Sequence, residues 1–414
     1  MKKIVLSLAL LTTTTAFADV MKPIPENERI AQLLQGKREI TNLVDFEKLG
    51  LNEGKTSLDL WSGSYWPQYQ GSLGVRYRDP SFMTLMKDKE QYGKFKELRE
   101  KTPLYTFNGK ENLLSPAEKY DLVVGDHSMT LTKYAWELGE KNEKFGKVPT
   151  WRGVCDGWSS AAQMMPRPTK SVVLTTAQGT PITFFPEDIK ALGSLLYARA
   201  QDNVIFLGKR CYPVVGVFSG GCDATNPGTL HKAIANRVGN LKKTFNADIS
   251  TSSEVWNYPV KSYKFTYYNV LSDVESTDFK KVYELFEKKQ RFAKPGRRHD
   301  RTYAIVGVKA EVVFADMREA NLLETDGITE DKDLVKTYMY DLELDRNFTI
   351  LGGEWESSGP DFIWAPNDKT YPISDGEKGR KPVTAAEVTK AAQVSSKEGQ
   401  PLSVIVEKLF ELSK

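Results

Sequence analysis

The three cysteines and three histidines of this 414-residue chain are the residues from which nucleophilic chemistry could be built. Cys155 stands at the start of a segment, 155–165, whose composition favours a helix ended by Pro166. Because the positive end of a helix dipole favours a thiolate, this position predicts a lowered thiol pKa. A cysteine nucleophile also needs a base that takes its proton. A buried cysteine that only packs is the competing interpretation.

Among the histidines, His231 has the context that best suits such a base. It follows Cys155 in the chain, and Asp248 lies downstream of it, where helical sequence gives way to strands. In a catalytic triad such an acid orients the imidazole by accepting a hydrogen bond from its second nitrogen. His299 lies in a strongly basic run, and His127 lies in a polar stretch before the cysteine. Cys155, His231 and Asp248 are therefore the candidate catalytic set, with a structural histidine as the alternative.

The N-terminus has the pattern of a secretory signal peptide. Two lysines follow Met1, an apolar run covers 4–11, and Ala16-Phe17-Ala18 supplies the small residues of a cleavage site. The apolar run is shorter than the roughly 20 residues that span a bilayer. We expect cleavage after Ala18 and a secreted or periplasmic mature chain, whereas a buried N-terminal helix is the alternative.

Export would make the odd number of cysteines informative. Cys211 and Cys222 are close in sequence around a glycine-containing stretch and are the natural disulfide pair in an oxidising compartment. Such a short closed loop is stabilised by about 3 kcal/mol. Cys155 would then remain a free thiol, and a free thiol in an exported protein is expected to be deeply buried or used in catalysis.

The composition excludes several classes of protein. Charged residues make up 27% and aromatic residues 11% of the chain, and the formal net charge is only +3. These values exclude a disordered protein and give no reason to expect nucleic acid as a partner. The only long apolar run lies at the N-terminus, so no transmembrane segment is expected in the mature chain.

The order of the predicted elements, helices first and strands later, predicts an α+β protein with helices packed on a mainly antiparallel sheet. The predicted helices cover 27–35, 43–49, 155–165, 186–200, 229–241 and 402–412, and the predicted strands cover 172–175, 181–185, 260–270, 303–314 and 338–351. We divide the chain into a signal peptide (1–18), an N-terminal helical segment that could be a pro-segment (19–60), a catalytic region (61–370), and a linker with a C-terminal helix (371–414). The polar residues 371–392, rich in Lys, Gly and Thr, form the predicted linker.

Several motifs resemble the transglutaminase elicitor family, whose members are secreted proteins of plant-pathogenic oomycetes with relatives in marine bacteria. The stretch Trp151-x-Gly153-x-Cys155-x-Gly157-Trp158 is similar to the nucleophile region of that family. Residues 254–264 resemble its most distinctive peptide, Val-Trp-Asn-Gln-Pro-Val-Arg-Gly-Phe-Lys, with Tyr258 in place of Gln and Lys261 in place of Arg. Residues 61–67, 226–231, 352–355 and 360–362 also match, so the resemblance covers about 61–364.

The resemblance implies a calcium-dependent protein-glutamine γ-glutamyltransferase with a papain-like cysteine-protease core. It makes Cys155 the nucleophile, His231 the base and Asp248 the orienting acid, with Asn257 as the second choice for the third member. Because a dry aromatic tunnel would favour transfer to an amine over hydrolysis, we expect the nearby tryptophans to line such a tunnel or to serve the oxyanion, with plain core packing as the alternative; they are Trp151, Trp158 and Trp256.

The implied partners are a protein glutamine as acyl donor and a lysine or another primary amine as acceptor. Calcium is implied by the resemblance alone. The acidic residues Asp326, Glu330, Asp331 and Asp333 lack the spacing of an EF-hand loop, so no metal ligands are assigned.

Two alternatives remain open from the sequence. The same thiol with water as the acceptor would make a papain-like cysteine peptidase or a glutamine deamidase. The aromatic clusters could instead belong to a non-enzymatic surface-binding module in which Cys155 is inert.

Overall fold

The computed structural model describes residues 24–86, 92–102, 109–210, 224–250, 252–287 and 298–414. The helices are α1 Leu43–Lys48, α2 Pro80–Met86, α3 Tyr92–Lys101, α4 Pro116–Val123, α5 Thr130–Asn142, α6 Cys155–Met164, α7 Pro186–Arg199, α8 Pro227–Ala233, α9 Ala385–Ser396 and α10 Ser403–Leu412. A π-helix, Ile234–Asn240, continues α8.

The strands are β1 Glu53–Lys55, β2 Val172–Thr175, β3 Pro181–Phe184, β4 Val204–Gly208, β5 Asn246–Asp248, β6 Asn257–Tyr268, β7 Glu275–Ser276, β8 Glu284–Leu285, β9 Ala304–Asp316, β10 Lys332–Leu344, β11 Ile350–Trp355 and β12 Phe362–Pro366. The mixture of helices with an antiparallel sheet confirms the predicted α+β class. Among the described residues, no helix is both long and apolar enough to cross a membrane.

One antiparallel sheet carries most of the strands, in the order β11-β10-β9-β6-β5-β12-β4. Strands β9 and β10 pair along their whole length, from Lys332 opposite Asp316 to Leu344 opposite Ala304. Alternate residues of β9 are buried, as expected for a strand with one face on the core, and they are Val306, Val308, Ala310, Val312 and Phe314. β2 and β3 form a separate hairpin, and the bounds of these two strands differ from the predicted ones by at most one residue.

Helix α6 lies between this sheet and α7. Gly157 lets the two helices approach closely, because a Cβ at this position would be 1.9 Å from the carbonyl oxygen of Ser194. At its other end, the Gln163 side chain donates a 2.6 Å hydrogen bond to Asn246 Oδ1 on β5. These contacts hold the first residue of α6, Cys155, in a defined place relative to β5 and β6.

The N-terminal segment packs into the same core. Its residues Ile30, Leu33 and Leu34 are buried, and β1 pairs with β6. The predicted helix over 27–35 is instead a 3₁₀ turn, Glu26–Glu28, followed by further turns.

The C-terminal segment contains more regular structure than predicted. The prediction of a linker over 371–392 is wrong for its second half, because α9 begins at Ala385. The local reason is a capping box in which Thr384 Oγ1 accepts from Glu387 N at 3.2 Å and the Glu387 carboxylate accepts from Thr384 N at 3.0 Å. The predicted helix over 402–412 is confirmed as α10, whose Phe410 ring packs against Trp61.

Candidate active site

Cys155 is the first residue of α6, and the loop before it is fixed by backbone hydrogen bonds. Val154 N donates to Tyr65 O at 2.7 Å, and Gln68 N donates to Arg152 O at 2.9 Å. Gly153 permits this close approach, since a Cβ there would be 2.2 Å from Tyr65 O. The motif around the cysteine therefore serves to bring the 65–68 loop against the start of the helix.

The Cys155 thiol faces the start of β6. Sγ donates to Val255 O and accepts from Asn257 Nδ2, each at 3.7 Å. Trp364 Nε1 on β12 donates a 2.7 Å hydrogen bond to Asn257 Oδ1. Because an indole N–H can only donate, it fixes the amide with Oδ1 toward Trp364 and Nδ2 toward the sulfur.

Asp248 lies beside Asn257, its direct partner in the β5–β6 register. Residues opposite each other in an antiparallel pair project from the same face with Cβ atoms about 5 Å apart. Asp248 Oδ1 accepts from Trp256 N at 2.9 Å and from Ser250 N at 3.2 Å. Its Oδ2 is buried and has no hydrogen-bond partner among the described residues. The site thus holds a thiol, an oriented amide and a carboxylate with one oxygen available.

Burial determines the protonation states of Cys155 and Asp248. Burial raises the pKa of the Cys155 thiol to about 12, the charge of Asp156 adds to this effect, and the N–H groups of Asn257 oppose it. The prediction of a lowered thiol pKa is therefore wrong, because the loss of solvent outweighs the helix dipole. Burial also raises the pKa of Asp248 to about 6, against the two backbone N–H groups that it accepts from. At neutral pH the Cys155 thiol is therefore protonated and the Asp248 carboxyl is mostly ionised.

The structure does not bring His231 to this site. The ring is fully buried on α8, stacks on Phe265 with ring centroids 4.0 Å apart, and has Nδ1 2.9 Å from the Tyr340 hydroxyl. Phe265 lies eight residues beyond Asn257 on β6, which is about 26 Å of strand at roughly 3.3 Å per residue. Burial lowers the pKa of His231 to about 3, so the imidazole is neutral and belongs to an aromatic core.

The other two histidines also lie elsewhere. His127 is exposed just before α5. The His299 backbone N–H donates to Glu343 at 2.7 Å, near the end of β10 opposite to Lys332.

The three tryptophans do not form one tunnel. Trp158 is buried in the core, where its Nε1 donates to Trp61 O at 3.3 Å. Trp151 is half-buried, with the guanidinium of Arg152 5.0 Å from its ring. Only Trp256 lines a cleft near the thiol, and its ring packs edge-on against Tyr65 with centroids 5.4 Å apart.

This cleft, of about 330 Å³, was not predicted from the sequence. Aromatic side chains form much of its wall and carboxylates lie at its rim; they include Tyr65, Tyr69, Trp256, Tyr258, Asp316 and Glu319. The aromatic density of 61–69 was the one signal in the sequence, whereas nothing there paired it with the end of β9.

The acidic residues considered for calcium do not fit a metal site. Asp326 forms ion pairs with Lys190 at 2.7 Å and Arg167 at 3.2 Å, and Asp331 pairs with Arg167 at 2.6 Å. Asp333 likewise pairs with a lysine, Lys261. In the part of the chain that the structure describes, no group of three or more His, Cys, Asp or Glu side chains could hold a metal ion.

The predicted disulfide pair, Cys211 and Cys222, and the predicted signal peptide, 1–18, lie outside the described residues.

Comparison with known proteins supports the resemblance seen in the sequence. The family model of the transglutaminase elicitor matches residues 38–379. Among solved structures, the crystal structure of the GP42 transglutaminase from Phytophthora sojae matches with a TM-score of 0.60 and 21% sequence identity, covering 94% of this chain and 97% of that one. The comparison with curated proteins gave no match.

Proposed function

Because the chain belongs to the transglutaminase elicitor family, we propose that it is a protein-glutamine γ-glutamyltransferase with Cys155 as its nucleophile. The observation that carries this proposal is the juxtaposition at the start of α6. The Cys155 thiol contacts an amide, Asn257, whose orientation is fixed, and Asn257 is the register partner of Asp248, whose buried Oδ2 has no partner in the described structure.

We propose Asp248, and not His231, as the general base. Its pKa of about 6 is close to neutral pH, where a base combines adequate strength with a large ionised fraction. The thiol is too weak an acid to ionise alone, so its proton leaves as the sulfur attacks. Asn257 then stabilises the negative charge on sulfur by a hydrogen bond from Nδ2.

The first half-reaction forms a thioester. Sγ attacks the carboxamide carbon of a glutamine side chain while Asp248 accepts the thiol proton. The developing oxyanion accepts hydrogen bonds, for which the Cys155 N–H is one donor. When the carbon–nitrogen bond breaks, Asp248 returns the proton to nitrogen, and ammonia leaves.

The second half-reaction transfers the acyl group. A neutral amine attacks the thioester carbon, Asp248 accepts a proton from the amine nitrogen, and the carbon–sulfur bond breaks. The proton then returns to sulfur, which restores the thiol and leaves an isopeptide bond. Water in place of the amine would give glutamate, so the same residues would also serve a deamidase.

We further propose that the mature chain acts outside the cytoplasm after cleavage following Ala18, and that calcium supports its activity. The signal-peptide pattern supports the first statement and family membership the second. Since no described residues fit the ion, no step of the mechanism is assigned to it. Loss of activity in EGTA with restoration by added calcium would test the requirement.

Intact-protein mass spectrometry tests the proposed function. A glutamine-rich test protein is incubated with a small primary amine and calcium, using wild type and Cys155→Ala in parallel. Incorporation of the amine by wild type alone is expected. A gain of about one mass unit per site would instead indicate deamidation, backbone cleavage would indicate a peptidase, and equal results for both proteins would contradict the assignment of Cys155.

A further inference from the structure

We propose that the cleft lined by Tyr65, Trp256, Tyr258, Asp316 and Glu319 binds the acyl acceptor, a primary alkylammonium such as the lysine side chain of a protein. This inference rests on the proposed transferase function and assigns a place to its second substrate. Its support comes from the position of the cleft, its walls and its charges.

The cleft adjoins the reactive thiol. Tyr65 O accepts the N–H of Val154, the residue before Cys155. Trp256 and Tyr258 flank Asn257, whose side chain contacts Sγ. A thiolate at Cys155 would raise the pKa of both Tyr65 and Tyr258, which indicates that both tyrosines lie near the sulfur. Cys155 does not itself line the cleft, but residues adjoining it in the chain and in the structure do, so a molecule in the cleft would lie near a thioester on Cys155.

The walls suit an alkyl chain that ends in a cation. Tyr65, Trp256 and Tyr258 offer aromatic surface to the methylene groups of a lysine, and aromatic faces also attract an ammonium group. A volume of about 330 Å³ is at the small end of the range for binding pockets, which suits one long side chain.

Two carboxylates of the cleft, Asp316 and Glu319, are available to pair with an ammonium group. Asp316 is half-buried and Glu319 is exposed, and neither forms an ion pair with any of the described residues. The buried cation in the wall, Arg318, is already neutralised by Glu187 and Asp326, each at 3.0 Å. Lys332, opposite Asp316 in the β9–β10 register, also lines the cleft, and its charge lowers the pKa of Asp316, against the larger effect of burial, although the two side chains form no ion pair. An arriving ammonium group would therefore find two carboxylates, Asp316 and Glu319, that form no ion pair with the described residues.

Delivery of the amine requires two proton transfers. The bound alkylammonium first releases one proton to water and becomes a neutral amine. Its nitrogen then bonds to the thioester carbon, the carbon–sulfur bond breaks, and the second proton passes through Asp248 to sulfur. The products are an isopeptide, the Cys155 thiol and one released proton.

The experiment compares two acceptors with the same glutamine donor. One is Nα-acetyl-lysine methylamide, which is cationic at pH 8, and the other is hydroxylamine, which is mostly uncharged there and gives a hydroxamate from the same thioester. Asp316→Asn and Glu319→Gln are each measured against Glu311→Gln, which removes an exposed acid of β9 outside the cleft.

We expect each cleft substitution to raise the KM for the lysine acceptor up to about fivefold, the upper end of the range for one exposed ion pair. The double variant should raise it further, whereas Glu311→Gln and all hydroxamate rates should change less than about twofold. An unchanged lysine KM with intact hydroxamate formation would overturn the acceptor site alone. An increase in the KM for glutamine instead would assign the cleft to the donor and also overturn it. Absence of hydroxamate and isopeptide from wild type would instead overturn the proposed function.

Discussion

Replacement of Asp248 by asparagine is expected to raise the stability of the protein and to lower its catalytic activity. The wild-type carboxyl is fully buried, with a pKa raised from 3.8 to about 6. This difference of about two units corresponds to about 3 kcal/mol that favours the protonated form in the folded state. The amide of asparagine carries no charge, and its Oδ1 can still accept from Trp256 N and Ser250 N.

The stability effect depends on pH. A raised carboxyl pKa means that the folded state binds more protons between pH 4 and 6, so the stability of wild type falls as pH rises through this range. Asp248→Asn has no carboxyl to ionise at this position, so its stability does not fall in this way as pH rises. Above pH 6 we therefore expect it to be more stable than wild type by about 1–2 kcal/mol, since the buried amide Nδ2 offsets part of the 3 kcal/mol. Near pH 4 the two proteins should differ much less.

Urea denaturation of both proteins at pH 4 and pH 7.5 measures this difference, and the other ionisable groups cancel in the comparison. Amine incorporation by the variant should fall by about 10² to 10⁴, the range for loss of a general base. A variant that is less stable than wild type at pH 7.5, or one that retains activity, would refute the argument that Asp248 is ionised at a cost in stability and acts in catalysis.

Three further outcomes follow from the same structure. The kcat/KM for a glutamine donor should fall tenfold per pH unit below about pH 6, as Asp248 becomes protonated, and a profile that is flat from pH 5 to 8 would exclude it as the base. Trp364→Phe removes the donor that orients Asn257, so kcat should fall about tenfold at unchanged KM for the amine, and an unchanged kcat would show that the amide needs no such support. Lys119→Met leaves Asp188 as an unpaired buried charge in place of a 2.6 Å ion pair, so the free energy of unfolding should fall by about 3–5 kcal/mol; a loss below about 1 kcal/mol in chemical denaturation would contradict this.

The local elements of the site were predictable from the sequence. Proline residues at 166 and 186 mark the end of α6 and the start of α7, and the observed bounds differ from the predicted ones by one residue. The spacing of Thr384 and Glu387 is that of a capping box and indicates the start of α9, although the polar composition of 371–392 favoured a linker. Such short-range signals depend only on neighbouring residues.

Which functional side chains lie together in the site was harder to predict from the sequence. Chain order alone favoured His231 as the partner of Cys155, but α8 packs His231 against Phe265, far along β6 from Asn257. The proximity of Asp248 and Asn257 follows from the β5–β6 register, which a sequence does not display. The raised pKa of the Cys155 thiol likewise follows from burial by residues distant in sequence. The sequence pattern of a helix start does not indicate that burial.

The most direct test of the catalytic assignment compares His231→Gln with Asp248→Asn in one amine-incorporation assay at pH 7.5, with Cys155→Ala as the blank. Thermal denaturation first establishes that each variant is folded at the assay temperature. We expect folded His231→Gln to keep kcat within about threefold of wild type, since the ring contacts only the core, and Asp248→Asn to lose at least about a hundredfold. An inactive but folded His231→Gln beside an active Asp248→Asn would contradict the assignment and restore histidine as the base.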